Sequence, residues 1–175
     1  MLCPGCDLLW NSLILTYNYQ KGTLPPQPFC SLSLSEELRK LQPSVIFSVQ
    51  HASRYFTSNN NIAIPFDRIL INKGGGYSPR HGEFTAPVSG LYYVSFRGWS
   101  KPQNAGFLHL SFNDSSISEL PVGDEAHESA SSQSLVLHLQ RGDILYLWTV
   151  GNVQGTIEMM GEDRTTFMGY LIQAD

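Results

Sequence analysis

From Pro43 to the end of the chain, turn-forming residues recur about every 8 to 12 positions, and no helical pattern longer than one or two turns intervenes. This punctuation leaves room only for short strands. Residues 44–49, 66–72 and 82–88 are β-branched or aromatic runs bounded by Asn, Gly, Pro or Ser. Residues 91–96 lead to Trp99, and 106–112 place Leu108, Leu110 and Phe112 on one face by the period of two. Leu135, Leu137 and Leu139 repeat that pattern, Arg141-Gly142-Asp143 turns into 144–148, and 165–172 forms the last strand. The segment is expected to be all-β, an antiparallel sandwich of about ten strands.

Two strands carry apolar residues on both faces. In 144–148, Ile144, Tyr146 and Trp148 alternate with Leu145 and Leu147, and aromatic residues occupy both faces of 91–99. A strand with one face in water alternates apolar with polar, so a second buried surface is expected, most simply a subunit interface. Composition agrees with a packed domain: 42% of the residues are hydrophobic and 11% aromatic, while charged residues reach only 15% against a usual share of about 25%. Disorder is thereby excluded. The 15 glycines and 10 prolines are dispersed without period, so no collagen stalk is expected. The formal charge of -4, all of it carried by residues 43–175 with eight basic and twelve acidic side chains, argues against nucleic acid as a partner.

Residues 1–42 read differently, as a tail. Cys3, Cys6 and Cys30 all lie there, so the later domain folds without a disulfide, and the odd count leaves a thiol unpaired or paired between chains. The Cys3-Pro-Gly-Cys6 spacing lacks both the βαβ context of a redox pair and the second ligand pair of a zinc site. The apolar stretch 8–15 is interrupted by Asn11 and Ser12, is preceded by no basic residue, and is too short to span a bilayer. No convincing signal peptide and no membrane span are expected. Residues 23–28 form a Pro-rich extended linker, and Ser33 with Glu36 at capping-box spacing starts a short helix carrying Leu34, Leu38 and Leu41.

No catalytic constellation is present. His51, His81, His109, His127 and His138 form neither HExxH nor HxH, and no Ser occupies a GxSxG elbow. His109 and His138 lie opposite the leucine faces of their strands, toward solvent or the inferred interface. Gly74-Gly75-Gly76 is followed by no GK[ST] and no helix, which makes it a turn and not a phosphate cradle. Asn113-Asp114-Ser115 is an acceptor triplet for N-glycosylation in the turn after Phe112. Asp124, Glu125 and Glu128 form an oxygen-rich acidic loop between two strands, the kind of feature that can hold calcium.

Phe66, Asn72, Tyr77, Phe84, Gly90 and Tyr92 stand at the spacing F-x5-N-x4-Y-x6-F-x5-G-x-Y, which resembles the aromatic motif of the complement component 1q globular-head family. The segment from Gly82 to Tyr93 is similar to that family's GxFTxPxxGLYY, 137–143 to its LxLxxGD turn, and 167–171 to its terminal FxGxL strand. Phe47-Ser48-Val49 resembles the opening strand, so the resemblance covers 43–175. One position departs: the usual Phe two residues after the motif Tyr is Val94, an apolar exchange that a repacked core absorbs.

The resemblance implies a ten-stranded jelly roll, shared with the tumour-necrosis-factor cytokines, that assembles as a homotrimer. It further implies a secreted, non-enzymatic recognition or signalling module of the innate-immunity type, binding protein, glycan or patterned surface ligands through exposed loops. Those loops are expected at 57–61, 101–104 and 151–155. A receptor-binding cytokine of the tumour-necrosis-factor type is the alternative, and the motif from Phe66 to Tyr92 argues against it. No cofactor is expected apart from calcium at the acidic loop. The aspartates that bind calcium in some relatives fall at Ser129 and Pro121 here, which does not favour it.

Overall fold

The computed structural model describes residues 43–59, 61–124, 126–151 and 156–175, all within the unit Pro43–Asp175. The linker, the short helix and Cys3, Cys6 and Cys30 lie outside the described residues, as do Glu125 and most of the 151–155 loop. The described residues form twelve strands: β1 (Ile46–Gln50), β2 (Tyr55–Asn59), β3 (Arg68–Lys73), β4 (Tyr77–Ser78), β5 (Glu83–Thr85), β6 (Gly90–Ser100), β7 (Gly106–Phe112), β8 (Ser115–Val122), β9 (Ser129–Leu139), β10 (Ile144–Gly151), β11 (Thr156–Met160) and β12 (Thr166–Ala174).

They form two antiparallel sheets. The first runs β2-β11-β6-β12-β1-β3, with β9 also paired to β6, and the second runs β4-β5-β10-β7-β8. The jelly-roll sandwich expected from the sequence is therefore present. The strand count exceeds ten because short ladders register as strands of their own, such as the two-residue β4 against β5. Thr57, Ser58 and Asn59, expected in a loop, belong instead to β2. Their polar sequence has no hydrophobic alternation, and it is the ladder to β11, with Ser58 opposite Ile157, that makes them a strand.

The core fills the space between the sheets. Along β6 the burial alternates, with Tyr92, Val94 and Phe96 inward and fully enclosed, and β10 contributes Leu145 and Leu147 from the facing sheet. Leu108 and Leu110 of β7 and Phe47 and Val49 of β1 complete the same layer. Each such side chain removes apolar area worth about 1.5–3 kcal/mol from water, which is what holds the two sheets face to face. Val94 sits in this layer with no exposed surface, so the smaller residue is accommodated there.

Candidate functional site

The aromatic motif forms a framework inside the sandwich. Phe47 stacks on Phe84 with centroids 4.4 Å apart and meets Phe167 edge-on at 4.9 Å, while Phe84 meets Tyr92 edge-on at 5.8 Å. Phe66 packs against Phe167 at 6.2 Å. Four motif residues are held by hydrogen bonds, Tyr92 by donating its hydroxyl to the Val88 carbonyl at 2.7 Å. The Tyr77 hydroxyl accepts the Phe66 N–H at 3.0 Å and donates to the Phe66 carbonyl at 3.2 Å. The Asn72 amide donates to the Tyr77 carbonyl at 2.9 Å and accepts the Tyr77 N–H at 3.1 Å. Burial drives the Tyr77 phenol well above its usual pKa, so it stays protonated and able to donate. Gly90 opens β6 at φ 155°, where a Cβ would lie 2.2 Å from the Gln173 carbonyl oxygen. Only glycine lets the β12 bulge approach there. These residues hold the fold and touch no open surface chemistry.

The outward face of the first sheet is different. In the register of the ladders, Ile46 lies beside Tyr170, Tyr170 beside Tyr93, and Tyr93 beside Val136. The two tyrosine rings are 5.2 Å apart, and the Tyr93 hydroxyl donates to Ser134 Oγ at 2.9 Å. Val136 is 59% exposed and Tyr170 39%, and Leu91, Ile71 and Ile172 add to the same apolar surface. The face grades along its length: below the tyrosines lie Ser95 and Ser134, linked at 3.0 Å, then Arg97 beside Ser132. At the far end Trp99 lies under the guanidiniums of Arg97 at 4.7 Å and Arg164 at 5.4 Å, with its buried Nε1 unpartnered.

The outer face of the other strand with two apolar faces, β10, is partly covered by its ladder partner β7. Trp148 stacks on His109 at 4.3 Å, and its Nε1 donates to Ser111 Oγ at 2.8 Å. His109 is therefore only 8% exposed, where the sequence placed it toward solvent or an interface. Desolvation pulls its pKa below 6.5, with Glu119 pulling the other way from 4.0 Å. His138 is exposed and paired to Asp175 at 2.9 Å.

Two expected sites are loops with local work to do. Asn113 and Asp114, at φ 46° and 67°, form the tight β7–β8 turn. The Asn113 amide donates to Asp143 Oδ1 at 2.8 Å and accepts the Ile144 N–H at 2.9 Å. The side chain is exposed, as an acceptor asparagine must be, and it also ties the turn to β10. Asp124 Oδ1 accepts the N–H groups of Ala126 and His127 at 2.6 and 3.2 Å, which hold its carboxyl below the usual range. Glu128 is exposed nearby, and among the described residues no three His, Cys, Asp or Glu side chains gather as a metal site. Among the same residues no helix is long and apolar enough to cross a membrane.

The sequence signalled the apolar outer face of β6 but not its partners. Val136 falls out of phase with Leu135, Leu137 and Leu139, on the face of its strand that otherwise carries Ser132, Ser134 and His138, and Tyr170 follows a glycine, so neither marks an apolar outer face until the register sets them on either side of Tyr93.

Comparison with known proteins matches residues 46–172 to the sequence model of the C1q domain. Complement C1q tumor necrosis factor-related protein 6 of Rattus norvegicus is 28% identical over 131 residues, covering 74% of this chain and 50% of that protein. Complement C1q and tumor necrosis factor-related protein 9B of Homo sapiens is 29% identical over 117 residues, covering 65% and 34%. The chain thus spans half or less of the length of these relatives. Among solved structures, the globular domain of zebrafish complement 1qA superposes with a TM-score of 0.63 at 20% identity, over 75% of this chain and 99% of that one. Eiger TNF from S. frugiperda gives 0.59 at 12% identity, over 77% and 96%.

Proposed function

The chain belongs to the C1q domain family, and on that premise we infer that it is a non-enzymatic recognition module, secreted and homotrimeric, which binds a protein or glycan ligand through exposed loops. The observation that carries this reading is the apolar ladder Ile46–Tyr170–Tyr93–Val136 on the outer face of the first sheet. A continuous apolar surface on a sheet whose other face already forms the core is unfavourable in water and calls for a covering partner. Three copies of the same face around a closed axis satisfy one another without leaving an open surface that would polymerise. The structural likeness to a tumour-necrosis-factor protein is a likeness of fold. The extracellular, innate-immunity setting is the one the names of the complement-related relatives suggest.

Native mass of the full chain tests the assembly. The expected value is three times 19.5 kDa. A stable monomer at about micromolar concentration, where a specific interface of ordinary size persists, would remove the trimer from the account. The same measurement with and without reductant reports whether Cys3, Cys6 or Cys30 joins trimers into larger, multivalent assemblies.

A further inference from the structure

β2 is one edge strand of the first sheet and β4 one edge strand of the second. Between β2, the 61–65 segment and the turn after β4 lies an open cavity of about 370 Å³. Phe56, Ile62, Ile64 and Pro65 supply its apolar wall. Ile64 belongs to the core while Ile62 is 58% exposed, so the wall runs from the interior to the rim. Among the described residues, the ionisable side chains lining it are His51, Arg80 and His81, and no carboxylate lines it. That selection is notable in a chain of net charge -4. Among the described residues Arg80 has no ion-pair partner, so its guanidinium is uncompensated.

The donors are held in place. The His51 ring stacks on Phe56 with centroids 4.0 Å apart and planes 9° from parallel, and its Nδ1 accepts the Ser53 N–H at 3.2 Å. A ring nitrogen that accepts carries no proton, so Nε2 is left as the donor of that imidazole. On the opposite side His81 Nδ1 lies 3.3 Å from Ser78 Oγ. The spacing of the walls is fixed as well. Gly82 takes φ 75° and approaches the Ile64 backbone so closely that a Cβ would lie 2.4 Å from its carbonyl oxygen. Its N–H bonds to the Ser78 carbonyl at 2.9 Å, and the Ile64 N–H bonds to the Leu147 carbonyl at 2.8 Å. The turn bearing Arg80 and His81 is thereby pinned against the apolar wall.

We propose that this cavity binds a small organic anion, a carboxylate or phosphate monoester on an apolar body about one ring in size. Its oxygens take hydrogen bonds from Arg80 and the imidazole N–H groups, and its body lies against Phe56, Ile62 and Pro65. A guanidinium suits either group because its planar fork of N–H donors matches two oxygens at once. The volume is near the lower end of the roughly 300–1,000 Å³ that small-molecule sites fill, which sets the one-ring limit. Nothing in this site requires a second copy of the chain, so it stands apart from the trimer reading.

The test is an amide-resonance titration of the isotopically labelled full chain with benzoate and with phenyl phosphate. Benzamidine, of the same shape and opposite charge, is the comparator. Saturable shifts confined to residues 51–65 and 78–82 are expected from at least one anion, with affinity about tenfold or more above that of benzamidine. Tighter binding of one anion identifies the acid group. Arg80→Ala is expected to lower anion affinity about tenfold and Arg80→Lys by less, because the point charge remains. His51→Phe keeps a ring against Phe56, removes the N–H, and weakens binding several-fold. Arg80 is exposed, so its variants fold, and their unliganded spectra verify this. Absence of saturable shifts with both anions, equal binding of benzamidine, or unchanged affinity in Arg80→Ala would each overturn the proposal.

Discussion

At the scale of single residues, the motif separates into side chains that pack and side chains that tie. Phe66 and Phe84 contribute ring surface, whereas Tyr77 and Asn72 satisfy backbone groups inside the sandwich. Tyr77→Phe keeps the ring and leaves the Phe66 N–H and carbonyl without their partner. An unmade buried hydrogen bond costs about 1–3 kcal/mol, and urea unfolding is expected to show a loss in that range. His109 gives a pH dependence. Its folded pKa lies below 6.5, so its contribution to stability is present above that value and is lost as the pH falls through it toward the folded pKa. The melting temperature is expected to fall between about pH 7.5 and 5.5, and to fall less in His109→Gln, which has no proton to gain. Equal slopes in the two proteins would show that His109 does not carry the effect.

At the scale of elements, the β7–β8 turn joins two functions of Asn113 that substitution can separate. Ser115→Ala removes the acceptor triplet while leaving the Asn113 bonds to Asp143 and Ile144 in place. Secreted protein is expected to lose the glycan mass in this variant with little change in stability. Asn113→Ala loses the glycan too, but also both bonds and a residue suited to positive φ, at a cost of about 1–3 kcal/mol. In the acidic loop, Asp124→Ala is expected to loosen the segment at Ala126 and His127 whether or not calcium is present, because it removes a cap that the chain itself uses. Melting curves with calcium and with chelator check the metal separately. A cation held there raises the melting temperature by mass action, and coincident curves exclude one.

At the scale of the whole molecule, the two faces of the sandwich have different fates. On the second sheet Trp148 packs against His109 and Ser111 and is half-buried, while Phe107 at the end of β7 stays 37% exposed. On the first sheet Val136 and Tyr170 remain open. Val136→Asp or Tyr170→Asp places a charge in the centre of that face, where an interface would have to desolvate it. Each variant is expected to run as a folded monomer of about one third the native mass, with unchanged far-ultraviolet circular dichroism. A trimer that survives both substitutions would place the interface elsewhere. Arg97→Ala is expected to change assembly less than either, since Arg97 lies beyond the serine rows, away from the apolar end.

The sequence by itself determined the strands with strong alternation, the all-β class and the motif that identifies the family. Period-two burial and turn chemistry are local and can be read from neighbours in the chain, as in β6, β7 and β10. It missed β2 as a strand, because Thr57, Ser58 and Asn59 owe their conformation to β11, about a hundred positions away. Tertiary structure alone decided which apolar faces are covered. Register set His109 beside Trp148 and set Tyr170 and Val136 on either side of Tyr93, and the packing of one sheet on the other brought His51 to the same cavity as Arg80 and His81. The physical reason is that a strand specifies its own two faces, whereas what lies beside each face depends on ladders between residues distant in sequence.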